Sequence, residues 1–370
     1  MFATALALLI SNSNSYQIYQ DFFTINLPLN LDFIGINKDL TLLDWINDFL
    51  MAIFFLLVGL ELKKEVLIGE LSSKNKIALP FIAAIGGVIF PMIIFYFLNK
   101  DHAQNLRGFA IPCATDIAFA YGIIALFGNR ISSSLKIFII ALAVIDDLIA
   151  ILIIAFFYSD NVDLTYILLA VALLFFLAAL NFFSVKKISP YLIFGAILWL
   201  MILKSGIHAS LAGVLVAMFI PLQIKNEAPL AKLASQIAPL VNFLILPIFA
   251  FANAGVRIEN FSPDLLLNPL SLGVTFGLFF GKQFGVMLFS FVAVKMKICN
   301  LPRDSNWIKF YAVSIFAGIG FTMSLFIASL AFGGQIDLLN LAKIGILLGS
   351  AISVLWGSLI IYFITAKNLS

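Results

Sequence analysis

Long apolar runs alternate along this chain with short polar clusters, at a spacing that fits a bilayer. Runs near the roughly 20 residues a helix needs to cross the hydrocarbon core lie at 43–61, 77–98, 108–127, 137–158, 164–183, 237–256, 271–294, 308–332 and 341–366. Two stretches depart from the pattern. The N-terminal MFATALALLI is apolar but too short to span and lacks the basic start of a signal peptide. It reads as the tail of a first helix, with translation starting upstream of Met1. Residues 191–220, containing LIFGAILWLMILKSGIHASLAGVLVAMFI, are too many for one crossing and few for two, and Lys204, Ser205 and Gly206 mark a break.

Charge decides how to count that region, because short cytoplasmic loops carry an excess of Lys and Arg. Split into two short helices, it makes a total of about twelve. One side then holds Lys63, Lys64, Lys74, Lys76, Arg130, Lys136, Lys186, Lys187, Lys225, Lys232, Lys295, Lys297, Arg303, Lys309 and Lys367, and the other only Lys38, Lys100, Arg107, Lys204, Arg257 and Lys343. Fifteen against six places both chain ends in the cytoplasm. Counted as one helix, the region would put Lys186 and Lys225 on opposite sides and spoil the alternation.

Composition agrees: 62% of residues are hydrophobic, 11% charged, and the mean hydropathy is +1.10. A soluble domain carries about 25% charged residues. The expected fold is all-α and polytopic, a single transmembrane domain over 1–370. The net charge of +3 reflects the sidedness of the loops and gives no reason to expect nucleic acid. Cys113 falls in a helix and Cys299 in a loop, so no disulfide is expected. Between the first two helices, YQIYQDFFTINLPLNLDFIGINKDL alternates apolar and polar residues around Pro28, which predicts a small external β-hairpin at about 16–41.

Few ionisable residues remain inside helices: Asp44 and Asp48 in the second, Asp116 in the fourth, Asp146 and Asp147 in the fifth and Lys282 in the tenth, with Glu61 and Glu65 at the end of the second. A central aspartate costs about 2.5 to 3.5 kcal/mol on insertion, against a gain of about 0.3 to 0.6 for a large aliphatic. The adjacent Asp146 and Asp147 therefore offset most of what their helix gains from its apolar residues. One pair with Lys282 accounts for one acid and leaves the others unexplained; intramembrane ionisable residues mark function by default. Neighbours on a helix point about 100° apart, so one can meet Lys282 while the other faces a water-filled cavity. Two close carboxylates in a poorly solvated site do not both ionise cheaply. A small hard cation such as Na+ or Li+, which favours oxygen ligands, displaces the proton that remains. Such competition is the chemistry of an antiporter.

Two helices carry interruptions. In AIPCATDIAF, Pro112 removes a backbone donor just before Thr115 and Asp116. In AGIGFTMS, Gly318 and Gly320 permit unwound backbone. Each alone is also a common kink. Together they occupy the middle helices of two triplets, about 77–158 and 271–366, offset by an odd number of crossings, which is the inverted-repeat pattern of secondary transporters. Asp116 can balance exposed helix N-termini there and Lys282 exposed C-termini. Beside Lys282, Gly273, Gly277, Gly281 and Gly285 form a smooth packing stripe.

The motifs WINDFLMAIFFLLVGLELKKE, IPCATDIAFA, LKIFIIALAVIDDLIAI, LKSGIHASLAGV, ILPIFAFANAG, GKQFG and GIGFTMSLFIASLAFG occur in order over nearly the whole chain. In them the sequence resembles the NhaA-type Na+/H+ antiporter family, one of the families in which inverted repeats are described. The resemblance implies a bacterial inner-membrane protein with twelve helices, two of them interrupted and crossed. It implies no cofactor, and electrogenic exchange of two entering protons for each departing Na+ or Li+, for sodium and pH homeostasis. It assigns cation and proton binding to Asp146 and Asp147, Asp147 being the indispensable ligand. It sets Thr115 and Asp116 beside the site and gives Lys282 either a pairing with Asp146 or a hold on the crossed helix ends. The hairpin would form a homodimer. Asp48, Glu61, Glu65 and His208 would serve access or pH response. For Glu61 and Glu65, spaced i, i+4 beside Lys63 and Lys64, a solvated helix end is an equal reading, and for His208 a structural hydrogen bond is the simpler one. The chain departs from pH-regulated members before Pro239, where LASQIAPL carries no titratable group.

Two other classes remain. An intramembrane aspartyl protease needs its two aspartates on different helices, whereas these are adjacent. A passive cation channel could use an acidic vestibule, but an internal lysine repels the permeating ion.

Overall fold

The computed structural model describes residues 2–32, 36–69, 72, 74–159, 162–257 and 263–366. Among them, nine helices are long and apolar enough to cross a membrane, and a pair bent by 45°, Trp307–Phe316 (α13) and Phe321–Phe332 (α14), makes a tenth. That is fewer than the expected twelve: the two further apolar helices, Phe2–Ser11 (α1) and Leu211–Phe219 (α10), have 10 and 9 residues and are each too short to cross alone. The chain divides into two compact units, Met1–Gly69 with Ile151–Glu259, and Glu70–Ala150 with Asn260–Ser370.

The first unit contains α1, Leu42–Leu67 (α3), Leu164–Phe182 (α8), Ile188–Ser205 (α9), α10 and Pro229–Ala254 (α11). The break predicted at Lys204–Gly206 is present: Gly206 ends α9 at φ +82°, a left-handed conformation that costs glycine little. The short α10 then packs so closely on α3 that a Cβ on Gly213 would sit 2.0 Å from Ala52 O. Lys63 Nζ donates to Met218 O and Ile220 O at 2.6 and 2.7 Å, satisfying carbonyls at the end of α10. Around this contact Leu56, Leu60, Trp199, Leu203, Ala212 and Val216 form a buried apolar core.

The hairpin is smaller than the alternation suggested. Residues Tyr16–Phe23 form a helix (α2), and Leu29–Leu31 (β1) and Ile36–Lys38 (β2) pair, antiparallel, with Leu29 opposite Lys38, the pairing continuing through the bridge of Asn26 with Thr41. Burial of an apolar helical face, with Phe23 against Phe251, outweighs the period-two pattern in this stretch. Residues 33–35 of the expected hairpin, and Lys367 of the charge count, lie outside the described residues.

The second unit contains Lys74–Asn99 (α4), the 3-10 helix Asn105–Cys113 (α5), Ile117–Leu126 (α6), the stretch of Ser133–Phe157 (α7) up to Ala150, Pro269–Lys295 (α12), α13, α14 and Ile336–Ala366 (α15). The glycine stripe of α12 lies against α4. A Cβ on Gly285 would stand 2.1 Å from Gly86 O, one on Gly281 2.7 Å from Pro91 Cα, and one on Gly273 2.4 Å from Asn99 Nδ2. Close backbone approach is what small residues permit between membrane helices. One charge is corrected: Lys343, counted above as an external loop residue, lies within α15 and is buried.

Candidate functional site

Both interruptions lie in the second unit, and their backbones meet. The 3-10 helix α5 stops at Cys113, and Ala114 turns to extended backbone before α6 begins at Ile117. Pro112 is the penultimate residue of α5, buried against α12 where a Cβ on Gly277 would lie 2.7 Å from its ring. On the partner side α13 ends at Phe316 and α14 starts at Phe321. Asp116 N–H donates to Ile319 O at 2.7 Å, and Ser324 Oγ donates to Ile111 O at 2.7 Å. These bonds supply what irregular backbone needs at membrane depth.

The backbone is unwound at Gly318 and Gly320, as the sequence predicts, and size matters there beside conformational freedom. Neither has a positive φ. A Cβ on Gly318 would stand 2.4 Å from Leu278 O and 2.6 Å from Ser353 Oγ, and one on Gly320 2.8 Å from Leu278 Cδ2 and 3.1 Å from Ala114 O. Glycine lets the broken segment lie against α12 and the other break at once.

Asp116 closes the N-terminal side of both broken spans. Its Oδ1 accepts from Phe119 N–H at 3.0 Å, in the first turn of α6, and its Oδ2 from Thr322 N–H at 2.9 Å, in the first turn of α14, and from the Thr322 hydroxyl. One carboxylate thus caps two helices whose N-terminal ends are partly positive. Of the exposed carbonyls opposite, Ile319 O accepts from Asp116 N–H, and Ala317 O lies within reach of the Thr115 hydroxyl. Thr322 stood unremarked within GIGFTMS; its place two residues after a glycine break is the signal that could have found it.

Lys282 goes instead to Asp146. Its Nζ lies 2.6 Å from Asp146 Oδ2, with both side chains fully buried. The Thr115 hydroxyl lies 2.6 Å from the same oxygen and 2.8 Å from Ala317 O, so its single proton serves one or the other. Asp146 Oδ1 is buried with no hydrogen bond among the described residues, and Asp147, next on α7, is equally buried at 1% exposure. The contacts therefore join Thr115, Asp146 and Lys282 from three chain segments, with Asp116 next to Thr115 and Asp147 next to Asp146 in the chain.

Asp48, Glu61, Glu65 and His208 belong to the first unit. There His208 Nδ1 stands 3.6 Å from Asp48 Oδ1 and 3.5 Å from Ser210 Oγ, a pairing that no spacing in the sequence announced. Glu61 is exposed and Glu65 half-buried near the end of α3. Among the described residues no group of three or more His, Cys, Asp or Glu is arranged to hold a metal ion.

The profile of the family "Na+/H+ antiporter 1" matches residues 1–361. The chain is 49% identical to the Na(+)/H(+) antiporter NhaA of Pelagibacter ubique over 99% of its own length and 94% of that protein's. It is 50% identical to the NhaA of Nitrobacter hamburgensis, over 98% and 87% of the two chains. With the Na(+)/H(+) antiporter NhaA 2 of Campylobacter jejuni it shares 46% identity, over 96% and 93%. The chain belongs to the NhaA family of Na+/H+ antiporters, multi-pass membrane transporters and not enzymes.

Proposed function

We propose that this chain exchanges Na+ or Li+ for H+ at Asp146 and Asp147. The observation that carries this reading is the buried Lys282–Asp146 pair, which leaves Asp146 Oδ1 without a hydrogen bond beside a second buried carboxylate. A carboxylate in this setting keeps a charge only with a partner. That partner is Lys282 or a small cation, and a proton, which removes the charge, competes with both. Oxygen ligands for Na+ come from Asp147 and Asp146, with Thr115 close enough to follow Asp146. Asp116 and the broken helices hold the frame in which the exchange takes place.

Two protons for one Na+ fits a site with two carboxylates. Each cycle then moves one net charge, worth about 2.3 kcal/mol per 100 mV of membrane potential. Both termini in the cytoplasm of a bacterial inner membrane is the orientation supported by the loop charges, and it gains support once buried Lys343 leaves the outer set. A homodimer through β1 and β2 is the use we assign to the hairpin. The hairpin is held to α9 by Lys204 Nζ on Asn37 O and Lys38 Nζ on Leu203 O. His208 and Asp48 are assigned to access or pH response through their contact, and Glu61 and Glu65 to the solvated end of α3.

The test is Na+-triggered proton movement in proteoliposomes holding a preformed pH gradient. Na+ and Li+ should collapse the gradient with the wild type and not with Asp147→Asn, which keeps the shape of the side chain and removes its charge. Cation flux that persists with no proton counterflow would favour a channel, and turnover indifferent to membrane potential would count against two protons per Na+.

A further inference from the structure

Lys282 follows directly on an irregular turn. The π-helical segment Gly277–Gly281 interrupts α12, and Lys282 N–H bonds back to Gly277 O, five residues earlier. Such a turn inserts one residue, which rotates everything after it by about 100° relative to a regular helix. The direction in which Lys282 leaves α12 therefore depends on this turn keeping its shape.

A side-chain bridge holds it. Gln283, 1% exposed, donates from Nε2 to Phe279 O at 2.8 Å, a carbonyl inside the wide turn. Its Oε1 accepts from Tyr311 Oη at 2.7 Å. Tyr311 stands on α13, which ends at the break where Ala317 O meets the Thr115 hydroxyl, and Thr115 in turn meets Asp146. The contacts form a closed circuit: Lys282, Gln283, Tyr311, α13, Ala317, Thr115, Asp146 and back to Lys282. All of it lies in the second unit.

We propose that the Tyr311–Gln283 bridge is a positioning device for cation exchange: it fixes the π turn that aims Lys282 at Asp146 and ties that aim to the broken span. It rests on the reading of Asp146 and Asp147 as the exchange site. Neither residue touches the ion. A buried glutamine that is merely satisfied would contribute stability alone, and its loss would lower the amount of competent protein without changing how that protein binds Na+.

The experiment compares Tyr311→Phe, Gln283→Met and the double variant with wild type and Asp147→Asn, by Na+-dependent exchange in proteoliposomes normalised to reconstituted protein. Each single variant should raise the apparent KM for Na+ at least threefold, and the double variant should match the singles, because either change cuts the same bridge. A KM unchanged or lowered in Tyr311→Phe, with only the maximal rate reduced, overturns the proposal even if Gln283→Met fails to insert. KM effects that multiply in the double variant overturn it too. A wild type without Na+ exchange would instead overturn the exchange reading, and the bridge's role with it.

Discussion

Lys282 and Asp146 meet as a fully buried ion pair, Nζ to Oδ2 at 2.6 Å, on helices 136 residues apart in sequence. Breaking such a pair from one side leaves an uncompensated charge and typically costs about 3 to 5 kcal/mol. Lys282→Ala should therefore lower the melting temperature of the detergent-purified protein. Adding Asp146→Asn should recover much of the loss, since it removes the stranded charge. Recovery that fails to appear would mean that Lys282 is held by more than its partner.

Asp116 makes three contacts across the two breaks, so its removal should cost more than that of Thr322. Caps are worth about 1 kcal/mol each, up to about 2. Asp116→Ala forfeits the bonds from Phe119 N–H, Thr322 N–H and the Thr322 hydroxyl, whereas Thr322→Val forfeits only the last. Thermal unfolding should rank wild type above Thr322→Val above Asp116→Ala.

Gly318 and Gly122 give a matched contrast. An added methyl at Gly318 would overlap Leu278 O and Ser353 Oγ, and overpacking typically costs about 1 to 3 kcal/mol. At Gly122, inside α6, a Cβ meets nothing within 4 Å, and alanine gains up to about 1 kcal/mol of helix propensity. Gly318→Ala should lose stability and exchange together, while Gly122→Ala should keep both.

Tyr19 supplies a pH dependence away from the ion site. Its phenol donates to Phe251 O, and burial pushes its pKa up to about 12 from 10.0. The folded state thus holds a proton that the unfolded chain releases above pH 10. Stability should be fully present below pH 10 and fall as pH rises toward 12. Alkaline unfolding of wild type and Tyr19→Phe should differ in slope within that window and run parallel below it.

Spans, breaks and the buried acids opposite Lys282 were legible in the sequence because each rests on a local cost: apolar length, a missing donor at Pro112, an aspartate among aliphatics. Register between segments was not. Nothing near Asp116 in the chain announces Thr322, and nothing near Lys282 announces Tyr311, because those bonds join residues brought together only by packing. The stretch at 16–23 shows the converse failure, where short-range alternation suggested a strand and burial of Phe23 made a helix. Gly318 and Gly320 were found as a break in the helix, and their steric role against Leu278 and Ala114 appears only in the packing.

The most direct test of the exchange site is proton release on cation binding. Purified protein in weakly buffered detergent solution is titrated with NaCl or LiCl, and released protons are followed by a pH-sensitive dye. Wild type should release protons saturably, less as the starting pH rises and the site empties of protons, and Asp147→Asn should release none. Saturable Li+ binding by the wild type with no proton release, or equal release by Asp147→Asn, would contradict competition of cation and proton at Asp146 and Asp147.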